Sequence, residues 1–438
     1  MRAGEVLAGV RVGAVAHGGH CVARHDGRVV FVRHALPGEL VDVRLTEAGD
    51  GARFWRGDAV AVHEASADRV EPRCPVARPG GCGGCDWQHA STTAQRGLKA
   101  DVVREQLRRL ARSEWPDLEV EPVPGDADGL GWRTRVRFTV DADGRAGLRR
   151  HRSHDVVPIR ACPIADPELD AVGVEARQWR GVRAVEVVTA HRDAEVERLV
   201  VVDPAAHDGR PGRARVPSLD VPASVAVRGP GGIERLRGRS WVAEQVRVDG
   251  APRTFRVSGA GFWQVHPGAA QALLDAVLAA TQPRPGERAL DLYCGVGLFA
   301  VGLAARVGPQ GSVLGVESEP RAVADARRNV HDLPQVHLLR AKVDEAVRDD
   351  ALAAQGVDVV VLDPPRTGAG RAVVERLLAL HPRVVAYVAC DPAALARDVA
   401  TAAGAGYRLS GLRAFDLFPM THHVECVATL VPGEPLAG

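Results

Sequence analysis

Apolar and polar residues alternate in short bursts through the first 66 positions. The runs VRVGAV, HCVARH, RVVFVRHA, ELVDVRLTE and RGDAVAVHE have a period near two, with glycine and aspartate between them. That period puts successive side chains on opposite faces of a strand, so residues 1–66 predict a small antiparallel β-barrel. Barrels of the oligonucleotide-binding (OB) type are a frequent platform for RNA. From residue 256 the pattern changes. ERALDLY, SVLGVE, VHLLRA, VDVVVLD, VVAYVAC and VECVATLV are strand-like runs. Segments with a helical period, such as RAVADARRNV, RAVVERLLAL and AALARDVATAA, separate them. Such alternation predicts a mostly parallel sheet with helices on both faces. The fold class is α/β, and 256–438 form its third unit. Between them, 67–255 hold a Leu/Val-striped helix from Thr92 to Arg112, several β runs and four cysteines, and predict a central α+β unit.

Residues 131–160 of that middle unit are strongly basic. Arg133, Arg135 and Arg137 alternate with Thr134, Val136 and Phe138, so on a strand they share one face. The face is either solvated or a track for a phosphate backbone; arginines 145, 149, 150 and 152 add weight to the second reading. The whole chain carries 56 basic and 55 acidic residues, a net charge of +1, so no global field draws it to nucleic acid. With 46% hydrophobic and 25% charged residues it has an ordinary soluble composition. No apolar run is long enough to span a bilayer, which excludes a spanning helix. The first 20 residues alternate rather than form an apolar block, so no secretory leader is expected and the protein is placed in the cytoplasm. There, eight cysteines read as metal ligands or catalysts rather than a disulfide framework.

Candidate chemistry gathers at the predicted strand ends of the third unit. The loop DLYCGVG at 291–297 follows a strand and opens a helix, and Glu317 ends the next strand, where an acid can accept from a ribose diol. An acid such as Asp291 before the loop suits a methionine-derived cofactor better than an anionic pyrophosphate. VVVLDPPR ends another strand at Asp363, and VACDP ends the next at Cys390. A cysteine at a helix start is a candidate thiolate, although Asp391 beside it opposes ionisation. Beside a methyl donor, a thiolate can add to C6 of uracil and make C5 nucleophilic. A base must then remove the C5 proton. FPMTHHVEC at 418–426 offers Glu425, with His422 and His423 as alternatives.

These segments together resemble the uracil-C5 RNA methyltransferases, which form ribothymidine in tRNA and rRNA. GFWQVHP at 261–267 is similar to the family's F-x-Q-V-N. The 291–297 loop resembles D-L-Y/F-C-G-x-G, DPPR at 363–366 its D-P-P-R, YVACDP at 387–392 its Y-V-S-C-N-P, and 418–425 its F-P-x-T-x-H-V-E. The resemblance implies a Rossmann-like class I methyltransferase domain. It implies that Gln264, Tyr293, Glu317 and Asp363, with loop glycines Gly295 and Gly297, bind S-adenosylmethionine. It also implies Cys390 as nucleophile and Glu425 as general base. His266, Leu298, Lys342 and Asp391 depart from the family pattern. Cys74, Cys82, Cys85 and Cys162 resemble the family's iron–sulfur ligands. By spacing alone the four thiols suit a cubane cluster or zinc equally, and the resemblance favours a 4Fe–4S cluster. Cys21, Cys294 and Cys426 are expected to be packing residues. The barrel then looks like a TRAM domain, and RNA is the expected partner, with no membrane and no obligatory protein partner implied. The rival readings are an RNA amino-methyltransferase working through the Asp363-Pro-Pro segment, and a non-catalytic RNA-binding protein with a vestigial fold.

Overall fold

A computed structural model describes residues 1–192, 195–207, 210–211, 214–229, 232–348 and 356–433. Strands β1 (Val6–Arg11), β2 (Cys21–His25), β3 (Arg28–Arg33), β4 (Leu40–Glu47) and β5 (Trp55–Glu64) form a five-stranded sheet in the order β1-β4-β5-β3-β2. The β3–β5 pair is parallel; the others are antiparallel. Alternation buries Val30, Val32, Val41 and Val43 completely. Trp87, Leu98 and Val102 complete this core from outside the barrel.

Leu98 and Val102 belong to the helix Thr92–Gln106, whose N-terminus is capped by the Ser91 side chain accepting from Ala94 N. Its other face puts Ala100 and Val103 into the core of the C-terminal sheet. The helix is therefore shared by the first and third units. Strand β6 (Val120–Pro122) also joins the C-terminal sheet. Residues 92–122 thus pack with the third unit, although a division along the sequence puts them in the second.

The middle sheet contains β7 (Arg135–Val140), β8 (Ala146–Arg149), β9 (Val156–Pro158), β10 (Val182–Arg192) and β11 (Glu195–Pro204). A two-residue ladder, β12 (Ala206–His207) with β13 (Arg210–Pro211), stands apart. Strands β14 (Ser224–Gly229) and β15 (Gly232–Arg237) complete the order β15-β14-β11-β10-β7-β8-β9. On β7 the expected open arginine face is largely occupied. Arg135 donates to Gly261 O at 2.8 Å and lies 3.5 Å from Glu186, and Arg137 pairs with Asp203. A hairpin, β16 (Trp241–Val248) and β17 (Ala251–Ser258), leads to the third unit.

The third unit contains β18 (Arg288–Leu292), β19 (Ser312–Glu317), β20 (Val336–Arg340), β21 (Val359–Leu362), β22 (Val384–Ala389), β23 (Tyr407–Asp416) and β24 (Glu425–Pro432). With β6 they form eight strands in the order β20-β19-β18-β21-β22-β24-β23-β6. The five strands from β20 to β22 are parallel, and β24 is antiparallel to both neighbours. Strands β21 and β22 are buried along their whole length, as a sheet covered on both faces requires. Among the described residues, no helix is long and apolar enough to cross a membrane.

Candidate active site

Ligands of open α/β sheets sit beyond the carboxyl ends of the strands. At that rim β18 ends in a loop with three left-handed residues: Tyr293 at φ +64°, Gly295 at +54° and Gly297 at +93°. Glycine tolerates this without strain; Tyr293 is the exception and is fixed in place by the turn. The bends aim Gly295 N at Glu317 Oε2, 3.1 Å away at the end of β19. The other Glu317 oxygen accepts from Ser318 N and Glu319 N, both at 2.7 Å, so the carboxylate is fixed before any ligand arrives.

Asp291 is fully buried in β18. Its Oδ2 accepts from Ala300 N at 2.7 Å, while Oδ1 is buried with no partner. Burial pushes its carboxyl up to about 8, and the like charges of Asp363 and Glu317 add to this. Asp363, at the end of β21, is pushed up to about 7 by burial. A rim of three carboxyls, one with an unsatisfied oxygen, suits a ligand carrying an ammonium, a sulfonium and a ribose diol, because a positive charge favours the ionised carboxylates. Gln264 is buried in the segment between β17 and the helix Ala269–Thr281, and no described hydrogen bond ties its side chain to the rim.

The raised carboxyls make a stability prediction. Folded Asp363 keeps its proton up to about pH 7, whereas an unfolded aspartate loses it near ~3.9. The folded state therefore binds more protons in that window, and stability falls as pH rises through it; Asp291 acts with the same sign. Asp363→Asn removes this part. The ligand-free variant is expected to melt above the parent at pH 8 and with it at pH 4, while binding S-adenosylmethionine at least ~10-fold more weakly. Equal melting temperatures at pH 8 contradict the assignment.

Cys390 and Glu425 meet through sheet register. The β22–β24 pairing sets Ala389 opposite Cys426, so the next pair outward is Cys390 and Glu425. Opposed residues of an antiparallel pair have Cβ atoms about 5 Å apart. Glu425 is buried. Burial pushes its carboxyl well above the usual range, Asp363 pushes it further, and Arg366 pulls it back. Burial likewise pushes the Cys390 thiol up to about 12, with Glu425 raising it and Arg366 lowering it. Arg366 is thus the cation facing both groups. The histidine alternatives line the same cavity as Cys390 but are less suited to act as the base. His422 Nδ1 lies 2.6 Å from Asp86, and burial pushes the His423 imidazole down to about 3.

Cys74, Cys82, Cys85 and Cys162 line one cavity of about 730 Å³, together with Arg133, Arg137, Arg149 and Arg150. Among the described residues, no three His, Cys, Asp or Glu side chains converge closely enough to hold a single metal ion. The four thiols share that one cavity. Cys21, Cys294 and Cys426 are buried. Reading along the chain missed the unpartnered oxygen of Asp291 and the placing of Arg366 and Asp86, because each depends on strands or loops distant in sequence.

The sheet order, the bent loop after β18 and the acid rim define a class I methyltransferase. A family model described as tRNA (Uracil-5-)-methyltransferase matches residues 233–431, and a TRAM domain model matches residues 8–60. An uncharacterized RNA methyltransferase of Streptomyces avermitilis is 53% identical, over 97% of this chain and 98% of that one. The 23S rRNA (uracil(1939)-C(5))-methyltransferase RlmD of Edwardsiella ictaluri is 34% identical, over 94% and 92%. The crystal structure of Pyrococcus abyssi tRNA (uracil-54, C5)-methyltransferase in complex with S-adenosyl-L-homocysteine matches with a TM-score of 0.69 at 25% identity, over 97% and 100%. The chain belongs to the uracil-C5 RNA methyltransferase family, as an RNA (uracil-5-)-methyltransferase that uses S-adenosylmethionine.

Proposed function

We propose that this enzyme methylates C5 of one uridine in a structured rRNA or tRNA in the cytoplasm, with Cys390 as nucleophile and Glu425 as general base. The observation that carries this reading is the β22–β24 register, which opposes the two residues at the rim beside Asp363. The target base must leave its stack to reach them. The Cys390 thiolate forms a bond from Sγ to C6, and the C5–C6 π electrons move toward O4 as an enolate. Bound S-adenosylmethionine supplies an electrophilic methyl group to C5. The Glu425 carboxylate then takes the C5 proton. The electron pair of that C–H bond restores C5–C6 as the Sγ–C6 bond breaks, and the thiolate returns to Cys390. Asp291, Glu317 and Asp363, with Tyr293, Gly295, Gly297 and Gln264, hold the donor; the unpartnered Asp291 Oδ1 supports a cationic ligand there. An amino-methyltransferase has no use for a thiol opposite a buried carboxyl. The test is methylation of cellular rRNA and tRNA from a deletion strain, followed by digestion and mass spectrometry. 5-Methyluridine at one site is expected; a methylated exocyclic amine overturns the reading.

The cysteine cavity fits a 4Fe–4S cluster held by Cys74, Cys82, Cys85 and Cys162. In a cubane each thiolate binds a different iron, so the sulfurs stand further apart than around one zinc ion. The four thiols line one cavity, which either group needs, and the family-like order of the cysteines favours the cluster. The arginines that line it support RNA contact by the same unit. Protein purified without oxygen is expected to be brown, with broad absorbance near ~400 nm that Cys85→Ser removes. A colourless protein with stoichiometric zinc overturns the assignment.

A further inference from the structure

The barrel reaches into the catalytic pocket. The loop between β1 and β2 carries His17, Gly18 and Gly19, and Gly18 and Gly19 hold left-handed φ of +93° and +80°. Gly19 is pressed against the catalytic segment so closely that a Cβ there would lie 2.5 Å from His422 Cβ. Its carbonyl accepts from Trp87 Nε1 at 3.0 Å, which anchors the loop tip. From this tip His17 Nε2 reaches Asp391 Oδ2 at 2.9 Å, across 374 positions of sequence. Asp391 follows Cys390, and its second oxygen accepts from Ala394 N at 2.7 Å, capping the helix Pro392–Gly404. The three loop residues and Cys390 line the same cavity, of about 180 Å³, with Arg366 and His423.

We propose that His17 is a positioning residue of the active site: by holding Asp391 it fixes the turn that carries Cys390, and it makes the barrel one wall of the pocket that receives the uracil. The inference rests on Cys390 as nucleophile. Asp391 is otherwise an unwelcome neighbour for a thiolate, because its negative charge opposes ionisation. Between His17 and the helix N-terminus, both of its oxygens are engaged with donors instead. The barrel therefore does more than tether RNA. Its loop is part of the frame that aims the sulfur, and small misplacements of a reacting atom are costly.

The test uses the full-length protein with its RNA in single-turnover reactions at saturating RNA and S-adenosylmethionine. His17→Ala is expected to slow methyl transfer at least ~10-fold, with donor affinity by calorimetry and melting temperature close to the parent. His17→Gln, whose amide nitrogen lies near the position of Nε2, is expected to recover the rate to within ~3-fold. His63→Ala, on an exposed barrel position paired with Asp42, serves as control and keeps the parent rate. A parent rate at saturation for His17→Ala, with only the KM for RNA raised, reduces the barrel to a tether and overturns the proposal. Failure of His17→Gln to rescue also overturns it. Methylation by Cys390→Ala overturns the nucleophile reading itself, whatever His17 does.

Discussion

Cys390→Ala is expected to lose RNA methylation by ~10⁴-fold or more while binding S-adenosylmethionine as the parent does. The size follows from what the sulfur supplies. C5 of uracil is a weak nucleophile until a group adds at C6, and among the described side chains lining the Cys390 cavity the thiol is the strongest nucleophile, while carboxylates make poor adducts. The donor is expected to stay bound because the acids proposed to hold it, Asp291, Glu317 and Asp363, belong to β18, β19 and the end of β21, and Cys390 follows β22. Cys390→Ser is expected to behave alike, because a hydroxyl ionises far less readily than a thiol. RNA with 5-fluorouridine at the target gives a second readout. Fluorine cannot leave C5 as a cation, so the parent enzyme is expected to stall as a covalent complex stable to denaturing gels, and Cys390→Ala is expected to form none. Full turnover by the alanine variant removes the thiol from the mechanism.

What the sequence disclosed and what it withheld have physical reasons. Asp291, Glu317, Asp363 and Cys390 were legible because each lies at or just beyond the carboxyl end of a strand of a parallel sheet, and such a sheet delivers its strand ends to one rim. The opposition of Cys390 to Glu425 was not legible. It depends on β24 inserting antiparallel between β22 and β23, a register no local pattern encodes. Strand β23 escaped notice because YRLSGLRAFD is half polar and its register slips between Leu409 and Gly411. Arg135 looked like part of a nucleic-acid track because alternation shows which residues share a face, not what covers that face. In the fold the 259–261 segment and Glu186 cover it. The cysteine spacing brought four thiols to one cavity but did not show how closely they converge. His17 was invisible for the plainest reason: its partner lies at the other end of the chain.

Glu425→Gln is expected to split the reaction in two. The amide is close in shape to the acid, so the pocket, the donor site and the approach of Cys390 survive. Addition at C6 is expected to become easier, because the neighbouring carboxyl that raises the Cys390 thiol is gone. Methyl transfer then proceeds once. The C5 proton stays in place because an amide cannot accept it, so Sγ remains bonded to C6. Labelled methyl is expected to accumulate in a one-to-one covalent protein–RNA complex, with turnover down by ~10³-fold. The pH dependence distinguishes this from general damage. In the parent the Glu425 carboxyl is raised well above its usual range by burial first and Asp363 second, and it works only after losing its proton, so turnover must rise with pH above the usual carboxylate range. The glutamine variant is expected to lose that component and keep only the dependence of the thiol, which burial also raises. His422 also lines the Cys390 cavity, but its Nδ1 is tied to Asp86 at 2.6 Å, so it is not expected to substitute. Turnover at the parent rate with no trapped complex would leave Glu425 a buried acid without a task, and the C5 proton would need another acceptor.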